Sequence, residues 1–263
     1  MCDHCGMLVR SVHDRDELAD LLRRDPARHA YQLGDLDDFF WPYTTWYRYR
    51  DSVALVYHGN GLPTLLALDV PERAGDLAAL LDGLAPLLPR RFHAHLSPGA
   101  EEVLGRHFEA QPHGVHLKLA LTDHTRLNTV TPAGAVLTPA DLPELTALYE
   151  LAYPGNWFDQ RMLETGQYVG LRVDGALVAV AGVHVWSPAY RVAALGNVTT
   201  HPDLRNQGLG RAVVAALCRR LWRSVDHITL NVRADNAAAL ALYARLGFTT
   251  IGDYLEFTFT ARR

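Results

Sequence analysis

The chain has 263 residues, of which 49% are hydrophobic, and a formal net charge of -4 at pH 7. This length allows one large domain or two small ones with separate cores. The acidic balance disfavours nucleic acid as a partner, and no apolar run is long enough to predict a membrane segment or a signal peptide. We therefore expect a cytoplasmic globular protein that is a monomer or a homodimer.

The three cysteines do not predict a disulfide framework. Cys2 and Cys5, with His4 between them, have the spacing of half a zinc site, but four ligands would need a second cluster that the sequence does not show. We therefore predict no metal site. Cys218 lies on the apolar side of a predicted helix, which places it in the core.

The first half of the chain alternates strand and helix patterns. In order, it predicts a strand at 7–12, helices at 14–22 and 27–36, strands at 53–57 and 64–70 around a turn at 58–61, a helix at 72–88, a strand at 91–96, a short helix at 100–107 and a strand at 113–121. The polar segment 122–132 then predicts a linker. We accordingly predict one domain at 1–124 and a second at 125–263.

The second half repeats this order. It predicts a capped helix that ends near 151, strands at 168–173, 176–186 and 192–200, a helix from Leu209, a strand at 227–232, a short helix from Asn236 and a closing strand. Because strand, long helix, strand, short helix and strand follow one another in both halves, we infer an internal duplication. The predicted fold class is mixed α/β (α+β), each half a twisted, mostly antiparallel sheet flanked by helices.

The segment from Asn197 to Ala212 joins a β-branched strand to a glycine-rich helix start. The first amides of a helix lack internal partners and lie at the positive end of its dipole, so such a segment can bind an anion. Gly208 and Gly210 would let a phosphate approach the main chain, and Arg205 would add a charged contact. The glycine spacing fits neither the dinucleotide-binding pattern nor a Walker loop.

Two motifs in this order resemble those of the GNAT superfamily, the acyl-CoA-dependent N-acetyltransferases. That family has R-x-x-G-x-G/A at its pyrophosphate-binding turn and N-x-x-A-x-x-x-Y-x-x-x-G-F one strand later. The matching residues here are Arg205, Gly208, Gly210, Asn236, Ala239, Tyr243, Gly247 and Phe248. The resemblance covers roughly the last half of the chain. It implies a tandem protein with two GNAT-like domains, the first of them a degenerate copy because residues 69–73 replace the glycine turn with Asp-Val-Pro-Glu-Arg.

The resemblance implies acetyl-CoA as the co-substrate. The residues expected to bind it are Val198, Thr200, Arg205, Asn206, Gln207, Gly208, Leu209, Gly210, Arg211, Asn236 and Tyr243. Gly196 predicts a bulge in the strand before the turn, which would free main-chain amides to polarise the thioester carbonyl. Tyr243 is the expected proton donor to the departing thiolate, since the pKa of a phenol is close to that of a thiol.

Many family members carry a glutamate as general base on the strand before the turn, whereas Asn197, Thr199 and Thr200 occupy that region here and cannot deprotonate an ammonium directly. His184 is a candidate on the basis of the usual histidine pKa, although a lone histidine on a strand is often structural. The implied acceptor is a primary amine of a small molecule or amino acid, attacked directly in a ternary complex. Residues 153–166 would cover the acceptor.

Two other functions stay open. Acyltransferases of the mycothiol synthase-like and glycine N-acyltransferase-like kinds also have two copies. A non-catalytic acyl-CoA sensor or scaffold would need the glycine turn but not Tyr243, so the presence of Tyr243 favours the enzyme. Fold alone does not identify the acceptor.

Overall fold

The computed structural model describes residues 9–59 and 61–262. The Cys2–Cys5 pair, the start of the strand predicted at 7–12 and Asn60 of the predicted turn lie outside the described residues. No helix within the described ranges is both long enough and apolar enough to cross a membrane.

The chain divides into two compact units. Unit 1 comprises Met1–Leu117 and Gly252–Arg263, and unit 2 comprises Lys118–Ile251. The end of the chain thus groups with unit 1, whereas the domain predicted at 125–263 includes it. The two domain ranges stay a prediction.

Most of the helices and strands follow the predicted order. The first are β1 (Arg10–Val12), α1 (Arg15–Leu22), α2 (Ala30–Gly34), β2 (Thr44–Tyr49), β3 (Ser52–Tyr57), β4 (Thr64–Ala67), α3 (Ala74–Leu84), β5 (Arg91–Leu96), α4 (Ala100–Leu104) and β6 (Phe108–Leu121). They are followed by β7 (Ala135–Val136), α5 (Leu142–Ala152), β8 (Val169–Val173), β9 (Ala176–Ser187), β10 (Val192–Thr200), α6 (Leu209–Leu221), β11 (His227–Arg233), α7 (Ala237–Arg245) and β12 (Phe248–Ala261).

Unit 1 is built on strands in the order β1-β2-β3-β4-β5-β12-β6. The pair β4–β5 is parallel and joined by α3, and β12 lies antiparallel to β5 with Phe259 opposite Phe92. The two rings stack with centroids 5.4 Å apart. One face of α3 carries leucines at helical spacing that are buried in the same core, namely Leu77, Leu80, Leu81 and Leu84. This amphipathic spacing explains why the segment folds as a helix over the sheet.

Unit 2 is built on strands in the order β11-β10-β9-β8-β7. The pair β10–β11 is parallel and joined by α6, while β8, β9 and β10 are antiparallel neighbours. Apart from Ala215, the buried residues of α6 lie on one face at helical spacing: Val213, Val214, Leu217, Cys218 and Leu221. This pattern confirms the helix predicted from Leu209 and the core position of Cys218. Because this buried face packs into the core, the orientation of the first turn of α6 is fixed.

The mixed α/β fold class is confirmed. In each unit a parallel pair is joined by a helix, as β4-α3-β5 and β10-α6-β11. The prediction missed β2, in which Trp46 is buried, because Pro42 and the dense aromatics beside it obscure the strand alternation. The helix predicted at 27–36 is shorter, since it is confined to Ala30–Gly34. That unit 1 is a degenerate copy stays a prediction.

Candidate active site

The parallel strands β10 and β11 are paired only over their first halves. Pairing ends with Leu195 opposite Leu230, although β10 continues to Thr200 and β11 to Arg233. Main-chain groups that leave a ladder need other partners, because unpaired backbone groups are costly when buried. The gap between the strands can therefore hold an extended ligand that supplies those partners.

The bulge predicted at Gly196 is present. Gly196 lies opposite Gly182 and Thr199 opposite Val180, so β10 has one residue more than β9 between these pairs. The extra residue falls at 197–198, directly after the glycine. The bulge turns this part of β10 away from regular pairing at the point where the strands separate.

Two tyrosines that the sequence analysis did not identify hold the bulge. Asn197 is buried in a left-handed backbone conformation with φ of 54°, which asparagine tolerates better than most residues. The Tyr149 hydroxyl donates to its carbonyl at 2.9 Å, and its Nδ2 donates to the Tyr168 hydroxyl at 3.1 Å. Burial raises the pKa of both phenols, so they remain neutral hydrogen-bonding groups.

His184 lies beside this bulge. Ala194 of β10 lies opposite Val185 of β9, and the next residue, Leu195, lies opposite Val183. His184 is therefore an extra residue on β9. It is half-buried, and a β-carbon built on Gly196 would lie 2.1 Å from its Cδ2 atom. The absence of a side chain at 196 therefore lets the imidazole lie against β10.

The glycine turn begins α6 as predicted. Gly208 is the residue before the helix, with φ of 81°, and the Ala212 amide makes the first helical bond to its carbonyl at 3.0 Å. The amides of residues 209–211 precede that bond and lie at the positive end of the helix. A β-carbon on Gly208 would meet no protein atom within 4 Å, so a ligand can approach the helix start closely.

Gly210 shows that the two sequence motifs meet in space. A β-carbon there would lie 3.1 Å from Thr200 Oγ1 and 3.4 Å from Leu242 Cδ1. The end of β10, the first turn of α6 and the helix α7 thus approach one another around this glycine. A side chain at 210 would push them apart.

The other residues of the predicted binding set lie around the turn. Arg205, Asn206, Gln207 and Gly208 are exposed, whereas Val198, Thr200, Leu209, Gly210 and Arg211 are half-buried. Arg205 donates through Nε to the Thr200 carbonyl at 3.3 Å and through Nη2 to the Ala152 carbonyl at 3.1 Å. Its guanidinium is therefore already placed beside the turn.

Tyr243 and Asn236 lie on α7 and at its start. Tyr243 is buried, its ring is 5.7 Å from that of Phe248, and burial raises the pKa of its phenol. Asn236 caps the helix, because its Oδ1 accepts from the Ala239 amide at 3.1 Å. The asparagine side chain is thus used by the helix in this structure.

Asn231 is a further polar residue that the sequence analysis did not identify. It follows Leu230, the last residue of β11 that pairs with β10, and its Oδ1 is buried with no hydrogen-bond partner among the described residues. A buried carbonyl oxygen normally has a partner. A ligand in the gap between β10 and β11 would provide that partner. The sequence signal for this residue is its single amide side chain between the apolar Leu230 and Val232.

A pocket of about 340 Å³ opens next to the bulge. Tyr149, which bonds to the bulge, lines it together with Glu150 of α5 and Phe158 of the following segment. Part of the segment predicted to cover the acceptor therefore lines a cavity. Trp157 of that segment is exposed.

Comparison with known proteins agrees with this geometry and identifies the chain as an acyltransferase. The sequence model of the acetyltransferase (GNAT) family matches residues 137–248. The chain is 32% identical over 127 residues to the [ribosomal protein bS18]-alanine N-acetyltransferase of Salmonella typhimurium, which covers 46% of this chain and 81% of that protein. The chain belongs to the acetyltransferase (GNAT) family.

A more distant relative matches only in part. The mycothiol acetyltransferase of Saccharomonospora viridis is 32% identical over 103 residues, which is 36% of this chain and 32% of that protein.

Solved structures share the fold over nearly the whole chain. A Drosophila protein aligns with a TM-score of 0.71 at 17% identity and covers 97% of this chain and 99% of its own. A tandem GNAT protein from the clavulanic acid biosynthesis pathway aligns with a TM-score of 0.56 at 20% identity. The alignment covers 97% of this chain and 99% of that protein's chain. At these identities the likeness concerns the fold.

Proposed function

We propose that this chain transfers the acetyl group of acetyl-CoA to a primary amine by direct attack in a ternary complex. The observation that carries the proposal is the separation of β10 from β11 beyond Leu195 and Leu230, directly before the glycine turn. Strand ends beyond the last pair would bond to an extended pantetheine arm. The first amides of α6 and the Arg205 guanidinium would bind the pyrophosphate.

Acetyl-CoA supplies a thioester whose carbonyl carbon a neutral amine attacks, so that a C–N bond forms as the C–S bond breaks. The bulge at 197–198 would direct main-chain amides at the carbonyl oxygen, where negative charge develops. Tyr149 and Tyr168 act on this step through Asn197, because their bonds fix the bulge.

Tyr243 would donate its phenolic proton to the sulfur that leaves. Burial raises its pKa, which keeps the phenol protonated. Burial also raises the pKa of a thiol, as it does for Cys218. The CoA thiolate that leaves in the same desolvated surroundings would therefore still accept the proton from Tyr243. His184 would take the proton of the attacking amine, from its place beside the bulge.

The acceptor would enter through the pocket next to Tyr149. Glu150 gives this pocket a negative charge that would attract an ammonium group before it loses its proton. The resemblance to an alanine N-acetyltransferase makes the amino terminus of a peptide one form of acceptor, beside free amino acids and small amines.

The test is a screen of the purified full chain with acetyl-CoA against free amino acids, small amines and a peptide that begins with alanine. Release of CoA, together with acetylation of one amine seen by mass spectrometry, is expected. Tight binding of acetyl-CoA with no transfer to any amine would instead favour a sensor or scaffold.

A further inference from the structure

Unit 1 contains a cluster of four histidines and a glutamate. His93 and His95 are two positions apart on β5, so they share one face of the strand. Register places Glu256 of β12 opposite His95. On β6, His116 contacts Glu256, and His113 bonds to Thr258 Oγ1 at 2.8 Å.

Three imidazoles surround one carboxylate. The Nε2 atom of His93 lies 3.5 Å from Glu256 Oε2, and those of His95 and His116 lie 3.4 Å and 3.5 Å from Oε1. Charge-assisted hydrogen bonds are shorter, at about 2.7–2.9 Å. Bond lengths of about 2.0–2.2 Å around a tetrahedral zinc ion put neighbouring ligand atoms about 3.3–3.5 Å apart. The carboxylate–imidazole distances therefore fit ligands around a shared ion better than direct pairs.

Three of these side chains lie close enough together to share one ion. One ligand atom from each of His93, His95 and Glu256 lies within 4.8 Å of the others. His116 approaches the same carboxylate from β6 and lies beside this set.

The Glu256 side chain at the centre of this cluster is only 16% exposed. The Tyr254 hydroxyl donates to Oε1 of Glu256 at 2.8 Å, and a hydrogen bond of this kind holds a metal-binding carboxylate in place.

We propose that His93, His95 and Glu256 bind one Zn²⁺ ion in unit 1. Imidazole nitrogens with one carboxylate are a ligand set that suits zinc. The ion would join β5, which carries His93 and His95, to β12, which carries Glu256. It would thereby fasten the end of the chain to unit 1.

The experiment uses the full-length chain without a histidine tag, carrying Cys2→Ser and Cys5→Ser so that the N-terminal thiols cannot bind metal. The protein is stripped with a chelator and titrated with Zn²⁺ by calorimetry, and with Co²⁺ by visible absorption. We expect one ion per chain, the intense bands of tetrahedral Co²⁺, loss of those bands on addition of Zn²⁺, and a higher melting temperature with zinc.

His95→Ala and Glu256→Gln should each weaken Zn²⁺ binding by roughly 100-fold or more, given that even outer-shell changes cost about 10- to 100-fold. His107→Ala is the matched control, since His107 lies at the surface of the same unit and pairs with Asp82. Equal affinity in all three variants would overturn the proposal. So would the absence of stoichiometric binding and of a melting shift in the chain with all three ligands, a result that does not depend on whether the variants fold.

Discussion

The imidazole of His184 occupies the space that a side chain at Gly196 would need. A β-carbon at 196 would lie 2.1 Å from His184 Cδ2 and 2.3 Å from Nε2. These two residues lie at adjacent bulges on β9 and β10. The position of the histidine and the shape of the strand before the glycine turn therefore depend on each other.

Gly196→Ala should displace the ring and lower the free energy of unfolding by about 1–3 kcal/mol. Most of that loss should disappear when His184→Ala is added, because the clash is then removed. Urea unfolding of the four proteins of this double-mutant cycle measures the coupling. Additive effects of the two substitutions would show that the predicted clash is relieved in another way.

The same histidine can be tested as the general base. His184→Gln keeps a polar side chain but cannot take a proton near neutral pH. If His184 is the base, the variant should lose most of its kcat and the acid limb of its kcat/KM profile should change shape. An unaltered profile with lower stability would assign His184 a packing role alone.

Gly208→Val should reduce acetyl-CoA affinity by about 100-fold, measured by calorimetry, because its side chain would fill the space above the helix start. Gly175→Val is the matched control. Gly175 has φ of 86° and, like Gly208, open space around its β-carbon position, but it lies in the turn between β8 and β9. Both variants place valine at a left-handed backbone position and so share the same backbone strain. Only Gly208→Val should lose acetyl-CoA binding. Equal loss of acetyl-CoA binding in both variants would argue against a phosphate site at the start of α6.

Tyr243→Phe should lower kcat by roughly 100-fold with little change in acetyl-CoA affinity. Because burial raises the pKa of this phenol, it keeps its proton above its usual pKa near 10. The wild-type kcat should therefore show no alkaline loss from this group up to about pH 10. Tyr43→Phe, on an exposed residue of unit 1, is the control. A variant with unchanged kcat would limit Tyr243 to packing.

Asp35 provides a pH-dependent test of unit 1. It is buried, and burial raises the pKa of its carboxyl well above the usual value. The folded chain then binds more protons than the unfolded chain above about pH 4, so stability should fall as pH rises from there. Asp35→Asn should remove this fall and stabilise the chain by about 1–3 kcal/mol at pH 7. Below about pH 4 the free energies of unfolding of the wild type and of Asp35→Asn should converge. The control Asp38→Asn, at an exposed residue, should change the free energy of unfolding little at any pH.

The sequence predicted those parts of the site that depend on local pattern. Apolar residues every three or four positions located α6, and Gly196 marked the bulge before it. Tyr149 and Tyr168 were missed, since their bonds to Asn197 join segments far apart in the chain.

Longer-range pairing explains the other differences. The strand β12 follows α7 in sequence, yet its register is with β5, and no local pattern predicts that choice. The His-x-His of 93 and 95 is visible in the sequence. Glu256 becomes part of the same cluster only through this pairing, which is why the sequence predicted no metal site.

Glu150 tests the side from which the acceptor would enter. It lines the pocket beside Tyr149 and is exposed, so its charge would act on an incoming ammonium through partly screened solvent. A contact of this kind is worth up to about 1 kcal/mol, or about fivefold in affinity. Glu150→Gln should therefore raise the KM for the best amine of the screen by about fivefold while the KM for acetyl-CoA stays the same.

Glu144→Gln is the matched control, because Glu144 lies on the same helix and pairs with Arg172 at 2.9 Å. Its amine KM should match that of the wild type. Raising the salt concentration should shrink the difference between Glu150→Gln and wild type, since exposed charges are screened. If Glu150→Gln and Glu144→Gln gave the same amine KM at low salt, the acceptor would have to enter elsewhere on unit 2.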